Sequence, residues 1–208
     1  MLLDEIGIKF GTDKSSKHHD YLNIYDRCLS KYKSKEITLV EVGVYRGGSV
    51  ATWGEYFPKA TIVGLDITPD CTQYANNNVF VRIGDASSSS FLFEVVREFG
   101  EPTIFIDDGS HRWDHQISTF QIMFPILKAG GTYIIEDIDT SFDSYLKEAD
   151  FKGFSAISAY DYVCKLGRML VGDVAVQSEK PYDLFIADNY RSIESIEMAR
   201  RTCIIKKR

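Results

Sequence analysis

The sequence predicts an α/β protein with a mostly parallel, seven-stranded sheet, helices on both faces and an antiparallel pair of strands at its C-terminal edge. Three observations carry this. From Ile37 onward, short β-branched apolar runs alternate with stretches of helical spacing. Those runs are apolar almost without interruption, as parallel strands covered on both faces are. The last two are joined by a short turn, which only antiparallel neighbours can share. With 208 residues, 44 % hydrophobic and 26 % charged, the chain is long enough for one domain with a sizeable core.

Before Ile37 the chain reads as a helical lead-in, because "YLNIYDRCLSKY" places Tyr21, Ile24, Tyr25, Cys28 and Leu29 on one face. "ITLVEVG" is the first strand, and "GGSVATWGEYF" the helix after it. "ATIVGLD" is the second strand, followed by a short helix around Cys71–Asn76. "VFVRIGD" is the third, and the serine run Ser87–Ser90 supplies an N-cap for the helix in "SSFLFEVVREFG". "PTIFIDD" and the helical "WDHQISTFQIMFPILK" lead to a fifth strand, "GGTYIIED". Beyond Asp150 the pattern weakens: Phe154–Leu170 reads as helix, and "SIESIEMA" and "TCIIKK" as the closing strands. No repeat or Pro/Gly-rich linker divides the chain. Residues 1–208 are therefore read as one domain, with a lead-in over 1–36, a ligand-holding core over 37–143, and a variable region with closing strands over 144–208.

The net charge of −6 and pI near 5.3 speak against a nucleic-acid-binding face. No apolar run approaches the roughly 20 residues of a membrane span, and acids stand in "MLLDEIGIKFGTDK" where a signal peptide would be basic. Cys28, Cys71, Cys164 and Cys203 are scattered and read as small core residues in a reducing compartment. The expectation is a cytoplasmic protein.

Ligands of such a sheet bind outside the carboxyl ends of its strands. Acids fall at every one of those ends: Glu41–Gly43, Asp66, Asp85, Asp107–Asp108 and Glu136–Asp137. One acid after a strand is commonly a turn or cap residue, but five in succession describe a polar rim. The first turn, "EVGVYRGGS", spaces its glycines G-x-x-x-G-G rather than G-x-G-x-x-G, which disfavours a pyrophosphate cradle and a nucleotide-dependent oxidoreductase. Asp66 is placed to accept the hydroxyls of a ribose, and Asp85 to meet a base edge. This ordered set resembles the pattern of class I methyltransferases, which implies a Rossmann-like fold and S-adenosylmethionine (SAM) as cofactor. The candidate cofactor residues are Glu41, Gly43, Tyr45, Gly47, Ser49, Asp66, Asp85 and Asp107.

Asp108 closes the fourth strand, and Glu136 and Asp137 the fifth, so neighbouring strands bring three carboxylates to one mouth. Clustered carboxylates repel unless a cation or shared protons compensate, and a hard cation such as Mg²⁺ suits oxygen ligands. Asp108, Glu136 and Asp137 are the expected metal ligands. Asp107 turns to the opposite side, because adjacent strand residues alternate. His111 follows Asp108 in the turn, within reach of the same substrate atom. His115, inside the next helix, reads as a supporting histidine, and Asp114 as a helix cap.

Taken together, "GTDK…H.DYL.IYD", "VEVGVYRGGSVATW", "IVGLDI", "IDDGSHRWDH" and "GGTYIIEDIDTS" resemble the macrocin/mycinamicin type of sugar O-methyltransferase, from about Gly11 to Asp143. The resemblance implies Mg²⁺-dependent methylation of a sugar hydroxyl, ligation by Asp108, Glu136 and Asp137, and His111 as general base. The C-terminal "EMARRTCIIKKR" and residues 144–187, where an acceptor-specific lid is expected, depart from the family pattern. So does the lack of a large N-terminal extension, so a homo-oligomer is left open. The segment "FGTDKSSKHH" is expected to fold over the site as a lid, with Thr12, Lys14, His18 and His19 as lid or substrate contacts and Lys14 meeting a carboxylate. His18 and His19 taken singly read as solvated. The partner is a small-molecule or glycan acceptor. A catechol-type O-methyltransferase and a non-catalytic methyltransferase-like binding protein are the alternatives.

Overall fold

The computed structural model describes residues 2–143, 147–180 and 183–208. Residues 144–146 and 181–182 of the expected acceptor region lie outside the described residues. Helices α1 (Leu3–Phe10) and α2 (Leu22–Leu29) precede strand β1 (Thr38–Val42). Then follow α3 (Gly48–Tyr56), β2 (Thr61–Asp66), β3 (Val79–Ile83), α4 (Ser89–Phe99), β4 (Ile104–Asp107), α5 (Trp113–Ile126) and β5 (Thr132–Ile135). Short helices α6 (Glu148–Phe151), α7 (Ala159–Leu170) and α8 (Leu184–Asn189) lead to the hairpin β6 (Ile193–Ala199) and β7 (Thr202–Lys207). The strands form a single seven-stranded sheet in the order β3-β2-β1-β4-β5-β7-β6, with β7 antiparallel to β5 and β6.

Three local expectations differ in detail. The segment after β2 is a 3₁₀ turn, Pro69–Tyr74, started by the fixed φ of Pro69. Helix α7 starts only at Ala159, capped by the Ser158 hydroxyl, which accepts from the Asp161 N–H. Ser88 does occupy the N-cap position of α4, but its side chain makes no capping hydrogen bond. Its hydroxyl instead lies 2.9 Å from that of Ser90.

Side-chain alternation divides the core. Leu39, Ile62, Ile104, Ile106 and Ile134 pack with α1, α2 and α3 on one face. Val40, Val63, Phe105, Tyr133 and Ile135 pack with α4, α5 and α7 on the other. Register then aligns the strand ends. Val42 lies opposite both Leu65 and Asp107, and Asp107 opposite Ile135. The residues that follow, Gly43, Asp66, Asp108 and Glu136, therefore emerge side by side where the chain, having wound outward from β1 to β3, returns to β4. That reversal opens a crevice. Among the described residues no helix is long and apolar enough to cross a membrane.

Gly43 sits where this edge brings the backbone of β1 against that of Asp108. Its φ is +94°, and a Cβ there would lie 2.1 Å from the Asp108 carbonyl oxygen, which belongs to backbone that cannot swing aside. Gly43→Ala should destabilise the protein by about 2–4 kcal/mol through strain and overlap together. Urea unfolding measures this; a loss below about 1 kcal/mol would show that β1 and β4 can separate without cost.

Candidate active site

A cleft of about 740 Å³ opens over the strand ends, and Gly43, Tyr45, Asp66, Asp85 and Asp107 line it. Asp66 is tied to backbone. Its Oδ2 accepts from the N–H groups of Val44 and Tyr45 at 2.9 and 3.0 Å, and its Oδ1 from Thr68 at 2.8 Å. Burial alone would raise its pKa, but these donors outweigh burial and hold the carboxyl below its ordinary value. The turn it holds includes Tyr45, 71 % exposed and at φ 49°, so the ring is presented to solvent at the cleft edge. Asp85 caps its own turn, accepting from the hydroxyl and N–H of Ser87, which lower its pKa. Asp107 is buried, and that burial pushes its carboxyl up to about 6.

Glu41, Gly47 and Ser49, expected at the cofactor, do not line the cleft. Glu41 shares the parity of Leu39 and turns toward α1–α3, where the Ser49 hydroxyl donates to its Oε2 at 2.7 Å. Gly47 packs under the Tyr74 ring, which a Cβ would approach to 2.4 Å.

The same parity gathers Glu41, Asp108 and Glu136 on one face, and their oxygens come within 4.8 Å of one another. The Lys14 ammonium occupies the middle. It lies 2.7 Å from Glu136 Oε2 and 3.6 Å from Glu41 Oε1, and it donates to Asp108 Oδ2. Tyr25 donates to Glu136 Oε1 at 3.0 Å. Burial would strip the Lys14 proton, but the three carboxylates outweigh it and hold the group charged. One ammonium does not neutralise three acids. The surplus appears in Glu41, whose carboxyl burial pushes up to about 7, and in Glu136, raised by burial and by Asp108.

Asp137 stands apart from Glu136. It adopts φ 51°, turns out of the strand and meets Asp108 and His111, the three offering ligand atoms within 4.8 Å of one another. His111 Nε2 lies 3.6 Å from Asp137 Oδ2. The expected trio Asp108, Glu136 and Asp137 is thus split into two groups that share Asp108. His115 lines the same cleft, with its Nδ1 2.8 Å from the Ser110 hydroxyl. Asp114 pairs with Arg112 and accepts from the Phe154 N–H.

In the N-terminal segment, Thr12 and Lys14 are buried and His18 is exposed. The ring of His19 rests 5.2 Å from that of Tyr21. The Lys14 carbonyl accepts from the Tyr21 N–H at 2.8 Å, which closes this stretch into a loop packed against the acids. The sequence reading missed three contributors: Tyr21, which donates to Asp137 Oδ1 at 2.6 Å, Tyr25 and Arg201. The tyrosines lay on a helix face already assigned to the core; parity along β4 and β5 together with Lys14 was the signal available.

No family model matches the chain. It is 33 % identical over 147 residues to mycinamicin VI 2''-O-methyltransferase of Micromonospora griseorubida, covering 67 % of this chain and 37 % of that protein. Demethylmacrocin O-methyltransferase of Streptomyces fradiae is 31 % identical over the same shares. The chain therefore spans little more than a third of the length of these curated relatives. The whole chain superposes on 55 % of MycE, a methyltransferase from the mycinamycin biosynthetic pathway solved in complex with Mg and SAH, with a TM-score of 0.82 and 26 % identity.

Glu41 makes the acid cluster sensitive to pH. Its carboxyl, ordinarily near 4.5, holds its proton to about 7 in the fold. The stability it confers is complete below about 4.5 and is lost as pH rises through about 7. Across that window it contributes a slope of about −1.4 kcal/mol per pH unit. Glu41→Gln should flatten the pH dependence of urea unfolding by that amount. The same slope in wild type and variant would assign the proton to another group.

Proposed function

We propose, on the premise that this chain is a relative of the macrolide sugar O-methyltransferases with their class I fold, that it moves the methyl group of SAM to a hydroxyl of a sugar or glycosylated small molecule. The observation that carries the reading is one continuous cleft whose lining runs from Asp66 and Asp85 at one end to Asp108, His111 and Asp137 at the other. The first end suits a nucleoside and the second a polar acceptor.

Gly43, Tyr45, Asp66, Asp85 and Asp107 are the residues proposed to meet the cofactor. For a divalent cation, the oxygens of Asp108 and Asp137 form a hard donor pair with His111 alongside, and this set fits Mg²⁺. Glu136 is the further ligand candidate, one Lys14 contact away from that role. When bound, such an ion supplies positive charge that acidifies an acceptor hydroxyl. The protein's own part is alignment and proton transfer. Methyl transfer from a sulfonium is an in-line displacement: the new O–C bond forms as the C–S bond breaks, and sulfur leaves with the electron pair. His111 Nε2, at the cleft, takes the hydroxyl proton.

Calorimetry should detect SAH, and Asp66→Ala should weaken it by about 1–3 kcal/mol as the Val44–Thr68 donors lose their partner. No binding at millimolar SAH would sink the methyltransferase reading. His111→Ala should leave SAH affinity unchanged and slow turnover about 10²–10⁴-fold; a near-wild-type rate would pass the base role to another group. Excess chelator should stop turnover while SAH still binds, and full activity there would remove the cation. Acceptor panels separate the readings: turnover of vicinal aromatic diols but not glycosides would make this a catechol-type enzyme.

A further inference from the structure

Two cations touch the acidic end of the cleft and have no part in the chemistry above. Lys14 arrives from the loop between α1 and α2, and Arg201 from the β6–β7 turn, in the C-terminal segment that departs from the family pattern. Arg201 holds φ 55°, and its carbonyl accepts from the Ile138 N–H at 2.9 Å, which docks the turn beside Asp137. Its Nη2 lies 2.8 Å from Asp137 Oδ1, and its Nε 2.9 Å from Asp139 Oδ2.

The contacts divide each carboxylate in the same way. Asp108 gives Oδ2 to Lys14. Asp137 gives Oδ1 to Arg201 and Tyr21, while its Oδ2 faces His111 Nε2. Glu136 differs, because Lys14 and Tyr25 occupy both of its oxygens.

We propose that Lys14 and Arg201 are positioning residues for a divalent-cation site: each holds one oxygen of its carboxylate and leaves the other to the ion. This rests on the cation reading of Asp108 and Asp137 given above. A site built this way is ordered before the ion arrives, because the carboxylates do not have to find their orientation on binding. It also binds weakly, because two resident positive charges oppose a third. The two effects have opposite signs in a mutant, which a purely structural role would not produce.

Mn²⁺ serves as the probe, titrated by calorimetry or by its electron-spin signal without cofactor or acceptor. Arg201→Gln should bind Mn²⁺ about tenfold more tightly, since a charge next to the ligand is gone. Its kcat at saturating Mn²⁺ should fall, since Asp137 then keeps only the Tyr21 hydroxyl on that oxygen and is held less firmly. Arg201→Lys should return the affinity to the wild-type value and recover only part of kcat, because an ammonium lacks the planar fork that spans Asp137 and Asp139. For the buried partner, Lys14→Met should lower the melting temperature of the ion-free protein, and Mn²⁺ should raise it by more than in wild type. Unchanged or weaker Mn²⁺ binding by Arg201→Gln overturns the proposal while leaving the cation reading intact. Absence of Mn²⁺ binding by the wild-type protein overturns both. The Arg201 variants decide the matter even where Lys14→Met does not fold, since the Arg201 side chain is 27 % exposed.

Discussion

Two buried carboxylates, Glu41 and Glu136, meet Asp108 at the floor of the cleft, and the Lys14 ammonium makes their meeting tolerable. Removing charges from water costs several kcal/mol each, and only close pairing with further hydrogen bonds offsets this. Lys14 is 1 % exposed and Tyr25 fully buried, so the partners come from the core itself. The N-terminal loop is therefore a structural member of the sheet's carboxyl edge. The position of Asp108, and with it the His111 turn, depends on a residue that precedes the first strand.

The cleft has two ends with different physics. At the end proposed to meet SAM, Asp66 and Asp85 use backbone and hydroxyl donors to shape their own turns. The acids there act first as organisers of loop geometry, and a ligand meets the surfaces they shape, Tyr45 among them. At the acidic end, charge governs, and every carboxylate has a cationic or phenolic donor on it. The likeness to MycE covers both ends, since the entire chain superposes.

The succession of strands and helices along the chain, the antiparallel closing pair and the acid-bearing edge were legible in the sequence, because apolar runs and short turns report directly on a buried parallel sheet with a hairpin at its edge; the spatial order of the strands was not. The grouping of the acids was legible only in part. Alternation separates Asp107 from Asp108, whereas Asp137 leaves Glu136 through a left-handed backbone turn that no periodicity announces. Glu41 belongs to the series of strand-end acids, but its parity with Leu39 sends it to the other face. Arg201 could not be found by pattern. Its role depends on a left-handed residue in a turn and on one backbone hydrogen bond to Ile138, neither of which leaves a mark in composition or period. The Ser87–Ser90 run shows the converse: position was legible, but the bond made there was not, because a hydroxyl chooses among neighbours at almost equal free energy.

The two cationic contacts reach across long stretches of chain; Lys14 and Asp108 are 94 residues apart. Contacts carried by elements at the margin of a fold open at lower free energy than those of its packed centre. Strand β6 lies at the margin of the sheet, and its hairpin carries Arg201. Peeling that hairpin away would release Asp137 while β1, β4 and β5 stay paired. The acidic site can thus be lost at a smaller free energy than the fold, and amide exchange at Ile138 would register the opening long before the central strands exchange.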